Sequence, residues 1–548
     1  MQKFTKKILE KPPCVQACPA QIDIPRYIRL IRDGDYDAAL SVIREKIPLP
    51  SVCGRVCYQP CEDVCKTDKF GGPVAINALK RFAAEHGSFQ EGPSAKPTGK
   101  RVAIIGSGPG GLTAAYYLAK LGHGVTVYEV RSKAGGMLYY GIPRYVLPED
   151  VLVKEIDAIL NLGIELKLNA PVQSTTDLPE DKTDAIVLAT GFPIGKKLTI
   201  SGSDLAGVYT AVDFLRDVGV GKADSLKNKR VVVLGGGRVA IDIGRTVRRL
   251  GASDVHIVYR RTRPEMSAGA DEVKAAEEEG IIIHFLQTFV KIVGDDGQVK
   301  GVECVDLKLV KMDEDGEIRF DAIESSAKVM AADAVFFAIG QTSVLDFIAS
   351  VPDVKTGKQD TIVVDPETFQ TGSSNIFALG DVVSGPASVI EAMAMARKTA
   401  FSIDKYLGGD GKIDEKPAPP KEAMSNLIPG LPVFPRCEIP ALNVEKRLQG
   451  FDEVYSTFSE ALAREEANRC LMCDLPIEAN GANCTVCLVC QMVCAFKFTG
   501  NSFNVSEAAI KLKRTAQGTC DAEFTDKCDD CGLCVRYCSY EALTRACN

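Results

Sequence analysis

All but four of the 20 cysteines in this 548-residue chain fall into short runs whose spacing suits iron. Cys484-x2-Cys487-x2-Cys490-x3-Cys494 is repeated as Cys528-x2-Cys531-x2-Cys534-x3-Cys538. In paired runs of this kind three thiolates wrap one corner of a [4Fe–4S] cubane, and the fourth cysteine crosses to the other cluster. The spacing assigns Cys484, Cys487, Cys490 and Cys538 to one cluster, and Cys528, Cys531, Cys534 and Cys494 to a second. Ala495 and Ser539 stand where a proline usually follows, which alters the local turn and no ligand. Four thiolates around zinc are the competing reading, but this run is not zinc spacing. Cubanes of this type carry single electrons.

Toward the other end stand Cys14-x3-Cys18 and the segment CGRVCYQPCEDVC, with Cys53, Cys57, Cys61 and Cys65. Six cysteines cannot complete two all-cysteine clusters, so either two ligands come from elsewhere or a single cluster forms. A further pair, Cys470 and Cys473, follows Arg469 much later. Cys304, Cys437, Cys520 and Cys547 lie outside the runs and read as ordinary thiols. A disulfide framework belongs to small secreted chains, and metal ligation is the better reading in a large chain with no secretory signal.

The second kind of chemistry is phosphate binding. The strand RVAIIG leads into Gly106-Ser-Gly108-Pro109-Gly110-Gly111 and the helix LTAAYYLAKLG. Gly106 suits the tight turn, Gly108 the close approach of backbone to a pyrophosphate, and Gly111 close helix–strand packing. The next strand, GVTVYE, ends on Glu129, where a carboxylate can accept hydrogen bonds from an adenosine ribose. A second copy, RVVVLGGG, places Gly235, Gly237 and Ala240 in the looser form, with Arg238 and Val239 opening the helix. Two dinucleotides are therefore expected. The strand after the second copy ends in Arg260 and Arg261 instead of an acid, and arginines there pair with a 2′-phosphate, favouring NADP(H) over NAD(H). Lys133–Pro148, with Gly136, Met137, Gly141, Ile142 and Arg144, is dense in glycine and aromatics, as suits either a loop against a planar ring or a structural turn. Near the end of the α/β region, Gly380-Asp381 precedes a helix starting at Ser388, where an acid can bind flavin hydroxyls and the helix end can face negative charge.

Several elements must position these groups. Residues 1–90 mix cysteines with helical patterning and end in the linker SFQEGPSAKPTGK. From Arg101 to about Leu407, short aliphatic strands alternate with amphipathic helices, the pattern of an α/β sheet covered on both faces. Residues 408–443 are too rich in proline for helix or central strand and read as an extended linker, and STFSEALAREEANRCLMCD then has helical spacing. With 65 Lys+Arg against 72 Asp+Glu, the net charge of −7 leaves no basic footprint for nucleic acid. No apolar run is long enough for a membrane span, and Met1–Lys11 lacks the apolar stretch of an export signal, so a cytoplasmic location is expected.

These features together, with AGGMLYYGIPRYVLP, Ala189-Thr190-Gly191 and VYRRTRPEM, resemble the glutamate synthase small-subunit family over about residues 10–410. Similar domains occur in the N-terminal half of dihydropyrimidine dehydrogenase and in the large subunit of NADH-dependent ferredoxin:NADP oxidoreductase. The resemblance implies FAD at the first fingerprint and NAD(P)H at the second, with the FAD domain split by the nucleotide domain. The implied divisions are a helical iron–sulfur domain at 1–90, FAD domain parts at 100–225 and 346–407, an NAD(P)H domain at 226–345, a linker and helix at 408–480, and a ferredoxin-like α+β domain at 481–548. An R-C-L-x-C segment normally precedes the first cysteines in that family; here it is displaced to Arg469–Cys473 and is expected to fold back. The family pairing then implies one cluster from Cys470, Cys473, Cys14 and Cys65, and another from Cys18, Cys57 and Cys61. Relatives complete the latter with an acid or amide where this chain has Lys80, which cannot ligate as an ammonium, so Cys53 is the expected replacement.

The expectation is an NAD(P)H-dependent flavin and iron–sulfur oxidoreductase with FAD and four [4Fe–4S] clusters, in which the cofactors do the chemistry and no protein acid–base catalyst is needed. No domain for a terminal reaction is visible. A subunit of a hetero-oligomer is implied, serving a dehydrogenase, a hydrogenase, a tungsten or molybdenum oxidoreductase, or ferredoxin, in keeping with an anaerobic setting. The alternatives are an electron-bifurcating subunit, a glutamate synthase small subunit and a non-catalytic redox-sensing scaffold.

Overall fold

The computed structural model describes residues 4–5, 11–91, 95–179, 183–312, 318–345, 351, 353–412, 435–475, 477–515 and 520–545. The chain forms two compact units. One comprises Pro93–Ile413 and Ala441–Tyr455; the other comprises Met1–Gly92, Asp414–Pro440 and Ser456–Asn548.

In the first unit a five-stranded parallel sheet runs in the order Ile376–Ala378, Ala185–Leu188, Arg101–Ile105, Gly124–Tyr128, Glu165–Lys167. Its central strands are unbroken aliphatic runs because both faces are covered. A second parallel sheet runs Ile282–Phe285, Asp254–Tyr259, Arg230–Leu234, Ala334–Phe337, Val208–Thr210. The strand Ile376–Ala378 follows the whole second sheet in sequence yet completes the first, so the first domain is split by the second. Val208–Thr210 lies inside the 100–225 bounds that the resemblance implies for the first FAD part, yet pairs with the second sheet; three residues are too few to carry a pattern.

An antiparallel ribbon of Gln287–Asp295, Gln298–Met312 and Ile318–Ala331 also belongs to this unit, although the sequence was read there as α/β alternation. Its first turn is Asp296-Gly297, with φ of 48° and 74°, the Asp-Gly hairpin signal. Cys304 is buried in this ribbon, and burial pushes its thiol up to about 12.

In the second unit the N-terminal residues form the helices Ile24–Asp33, Tyr36–Arg44, Pro50–Val56 and Ile76–His86. Asp35 caps Tyr36–Arg44 by accepting from the Ala38 amide at 3.0 Å. The C-terminal residues form an α+β module with antiparallel pairs Ile477–Ala479/Leu543–Arg545 and Ile510–Arg514/Cys520–Phe524, beside the helices Val489–Thr499 and Leu533–Arg536. Phe4–Thr5 adds a strand to Ile477–Ala479, in a segment that the sequence marks only as short, polar and without an export signal. Most of the expected linker, residues 413–434, and Cys547 lie outside the described residues. Among the described residues no helix is long and apolar enough to cross a membrane.

Candidate redox site

Cys484, Cys487, Cys490 and Cys538 line one cavity with about 440 Å³ of empty space, and Cys494, Cys528, Cys531 and Cys534 line another of about 300 Å³. These are the two sets expected from spacing, including the exchange of Cys494 and Cys538. The helix Val489–Thr499 carries Cys490 and Cys494 one turn apart, yet each faces a different cavity. Val486 and Leu488 adopt φ of 58° and 66°, a costly geometry for such side chains that curls the chain between Cys484 and Cys490.

A fifth cysteine, Cys520, lines the first cavity. It belongs to no run, and from sequence it reads as an ordinary thiol. It opens the strand Cys520–Phe524 and is buried; burial and Cys484 push its thiol up to about 11.

The N-terminal cysteines meet the displaced pair. Burial, with Cys470, Cys473 and Cys65 nearby, raises the Cys14 thiol far above its ordinary value. Arg469, fully buried, donates to the carbonyls of Pro73 and Gly71 at 3.0 Å each and pairs with Glu466 at 2.6 Å, pinning Cys470 to the loop after Cys65. Beside it Arg29 pairs with Asp474 at 2.6 Å. Burial, with Cys57 and Cys18 near, likewise raises Cys61. Cys53 is fully buried, and the Lys80 Nζ lies 3.0 Å from its Sγ.

The sets adjoin one another. Cys61 lies near Cys14, Cys473 Sγ is 3.9 Å from the Cys531 carbonyl oxygen, and Cys534 lies near Cys490. Among the described residues no three Cys, His, Asp or Glu side chains converge on a point suited to one metal ion. The two C-terminal donor sets fit cubanes: four soft thiolates around an apolar cavity. Burial pushes the Cys473 and Cys490 thiols up to about 12 and Cys470 to about 11, so bare thiolates are disfavoured and bound iron would supply the charge that ionises them.

At the first fingerprint, a Cβ on Gly106 would meet the Ala189 oxygen at 2.4 Å and one on Gly111 the Gly106 oxygen at 2.0 Å, so the turn closes only with glycine. Nothing lies within 4 Å of a Cβ on Gly108, which leaves the start of the helix Pro109–Lys120 open for a phosphate. Glu129 is buried and accepts from the Ser107 amide at 3.1 Å, the Ser107 hydroxyl at 2.5 Å and the Arg131 amide at 2.9 Å. That occupies three of about four lone-pair sites and leaves one for a ribose hydroxyl. Gly136 packs against Gly108, and the Met137–Tyr140 turn ends at Gly141 and Ile142. The Arg144 guanidinium stacks 4.2 Å from the Tyr139 ring and its Nη2 lies 3.9 Å from a Glu149 carboxylate oxygen, while its buried Nη1 and Nη2 have no hydrogen-bond partner. Thr190 and Gly191 follow the strand Ala185–Leu188. Gly380 precedes Asp381, whose buried carboxyl is pushed up to about 6 while it accepts from the Ala387 amide at 3.2 Å. Ser388 is committed to capping Val389–Tyr406 with Glu391. These residues fit a dinucleotide with a planar ring.

At the second fingerprint, Gly235 lies against the Ala338 oxygen and Gly236 against the Tyr259 ring. Ala240 is buried in the core, and Gly237 precedes the helix Arg238–Arg249. Val239 packs on that core and Arg238 pairs with Glu272 at 3.2 Å. Arg260 is exposed, and Arg261 is half-buried with its Nε unpartnered. The sequence reading missed the clamp joining the two domains: Tyr145, from the aromatic loop, is buried with the Arg249 guanidinium 4.0 Å and that of Arg245 4.9 Å from its ring, and both arginines pair with Glu279 at 2.7 Å.

Residues 100–396 match the pyridine nucleotide-disulphide oxidoreductase family. The chain belongs to that family. Residues 8–91 match the 4Fe-4S cluster domain II of dihydropyrimidine dehydrogenase. The chain is 38% identical over 510 residues to the NADP(+)-dependent formate dehydrogenase subunit beta of Moorella thermoacetica, covering 86% of this chain and 71% of that one. It is 34% identical over 508 residues to the NADPH-Fe(3+) oxidoreductase subunit beta of Geobacter sulfurreducens, covering 84% and 75%. It is also 34% identical over 420 residues to the glutamate synthase [NADPH] small chain of Escherichia coli, covering 72% and 89%. As a member of this family it is a flavin-dependent NAD(P)H oxidoreductase with iron–sulfur centres.

Proposed function

We propose that the chain is the NADPH-handling subunit of a hetero-oligomeric redox complex, with one FAD and four [4Fe–4S] clusters. The observation that carries this reading is the lining of two adjoining cavities by the two crossed cysteine sets, with the Cys14 set beside them. FAD held at Gly106, Gly108, Gly111 and Glu129 would supply hydride exchange with a nicotinamide and its conversion to single electrons, and cubanes held by the cysteine sets would supply one-electron carriers.

The residues have separable tasks. Gly106, Gly108 and Gly111 admit a pyrophosphate to a helix start, Glu129 keeps an acceptor for a ribose, and Arg144 offers donors over the aromatic loop. Gly235, Gly237 and Ala240 do the same for the second nucleotide, and Arg260 and Arg261 favour a 2′-phosphate. The sets around Cys18, Cys14, Cys531 and Cys484 follow one another in that order, which suits a one-electron relay with Cys487 exposed at its outer end. Relatives named as beta subunits support a partner subunit. The test is stepwise anaerobic titration with NADPH and separately NADH: flavin and cluster absorbance should bleach with NADPH at lower concentration, and equal response to both would remove the NADP(H) preference.

A further inference from the structure

Lys80 is buried, 6% exposed, on the helix Ile76–His86, and its Nζ stands 3.0 Å from the Sγ of Cys53, which has no exposure. Two contacts fix this register. A Cβ on Gly54 would lie 2.8 Å from that of Arg81, so the helices Pro50–Val56 and Ile76–His86 touch there, and Asn77 Nδ2 donates to the Gly54 carbonyl at 2.9 Å. Glu62, a nearby carboxylate, is taken by Arg436 and by the Asn77 amide. A buried ammonium needs a negative partner, and a neutral thiol sulfur is only a weak acceptor.

We infer that Lys80 is a built-in counter-charge that holds Cys53 as the fourth thiolate of the Cys18, Cys57 and Cys61 cluster and raises that cluster's potential. The inference rests on the reading that these cysteines hold a cluster. Reduction adds one negative charge to a cubane, and a cation donating to a ligating sulfur favours the more negative state; net charge and hydrogen bonds to sulfur are the protein's main controls over potential. Lys80 acts through Cys53 and is a positioning residue.

The experiment compares anaerobically purified full-length wild type, Lys80→Met, Lys80→Gln, Lys80→Arg and Cys53→Ala by iron content and EPR-monitored redox titration. Lys80→Met and Lys80→Gln should keep about sixteen irons. In both, the reduced-to-oxidised ratio of one cluster at fixed potential should fall about tenfold, about 59 mV for one electron. Lys80→Arg should restore most of it. Unshifted potentials in Lys80→Gln with full iron would overturn the inference. If Lys80→Met fails to fold, the potentials of Lys80→Gln and Lys80→Arg decide alone: a shift in Lys80→Gln that Lys80→Arg restores supports the counter-charge, and equal shifts in both count against it. Full iron in Cys53→Ala would instead show that Cys53 is not a ligand, a failure of the underlying reading.

Discussion

The Sγ of Cys473 lies 3.9 Å from the carbonyl oxygen of Cys531, so the cysteine pair displaced along the chain touches the C-terminal module. Arg545, 1% exposed, fastens this junction by donating to the Leu475 carbonyl and, at 2.6 Å, to that of Asp530. Replacing it with Met should leave two buried carbonyls without donors, at about 1–3 kcal/mol each. The expected outcome is a lower thermal midpoint and weaker magnetic coupling between clusters in the EPR of the reduced protein; coupling unchanged from wild type would show that Arg545 does not set the junction.

Five cysteines line the cavity of Cys484, but the spacing rule uses four. Cys484→Ser should therefore remove about four irons per chain, whereas Cys520→Ser should leave the iron content unchanged. Metal analysis of the two variants decides between them, and the reverse result would make Cys520 the ligand.

Arg260→Ala and Arg261→Ala should raise the KM for NADPH roughly tenfold or more, with little change for NADH, because each loses a charge-assisted contact worth about 1.5–3 kcal/mol. Steady-state kinetics with a dye acceptor reads this. Equal losses for both nucleotides would place these arginines outside the 2′-phosphate site.

Acid should destabilise the dinucleotide unit through its arginine-paired carboxylates, Glu279 buried and Asp333 partly exposed. Burial works to raise the Glu279 pKa, but hydrogen bonds from Arg249 and Arg245 hold it below its ordinary 4.5, and Arg230 holds Asp333 at about 2. Both folded values are depressed, so the unfolded chain binds more protons in acid. Their stabilisation is complete above the ordinary carboxylate range and is lost as pH falls from about 4.5 toward 2. The contribution of these two pairs to the thermal midpoint should be constant near neutrality and drop below pH about 4. Glu279→Gln should cost about 3–5 kcal/mol at neutral pH, because two arginines stay buried, and should flatten the acid limb.

Much of this was legible. The paired runs predicted both cavities, since the crossing of Cys494 and Cys538 follows from spacing alone, and the glycine turns announced two parallel sheets. The strand Val208–Thr210, on the FAD side of the boundary at 225, joins the second sheet, which its three residues are too few to signal by any period, and the ribbon after Gln287 is not visible as such although Asp296-Gly297 signals a hairpin. Cys520 and the Tyr145–Arg249 clamp depend on contacts between residues distant in sequence, which local patterns do not encode. The Phe4–Thr5 strand is too short and polar to stand out.

The most direct test of the central claim is the iron, sulfide and flavin content of the anaerobically purified chain, followed at once by addition of NADPH. Four clusters and one FAD predict about sixteen irons, matching sulfide and a flavin that bleaches together with the cluster absorbance. Zinc in place of iron, fewer than about sixteen irons in intact protein, or a flavin that neither nucleotide reduces would contradict it.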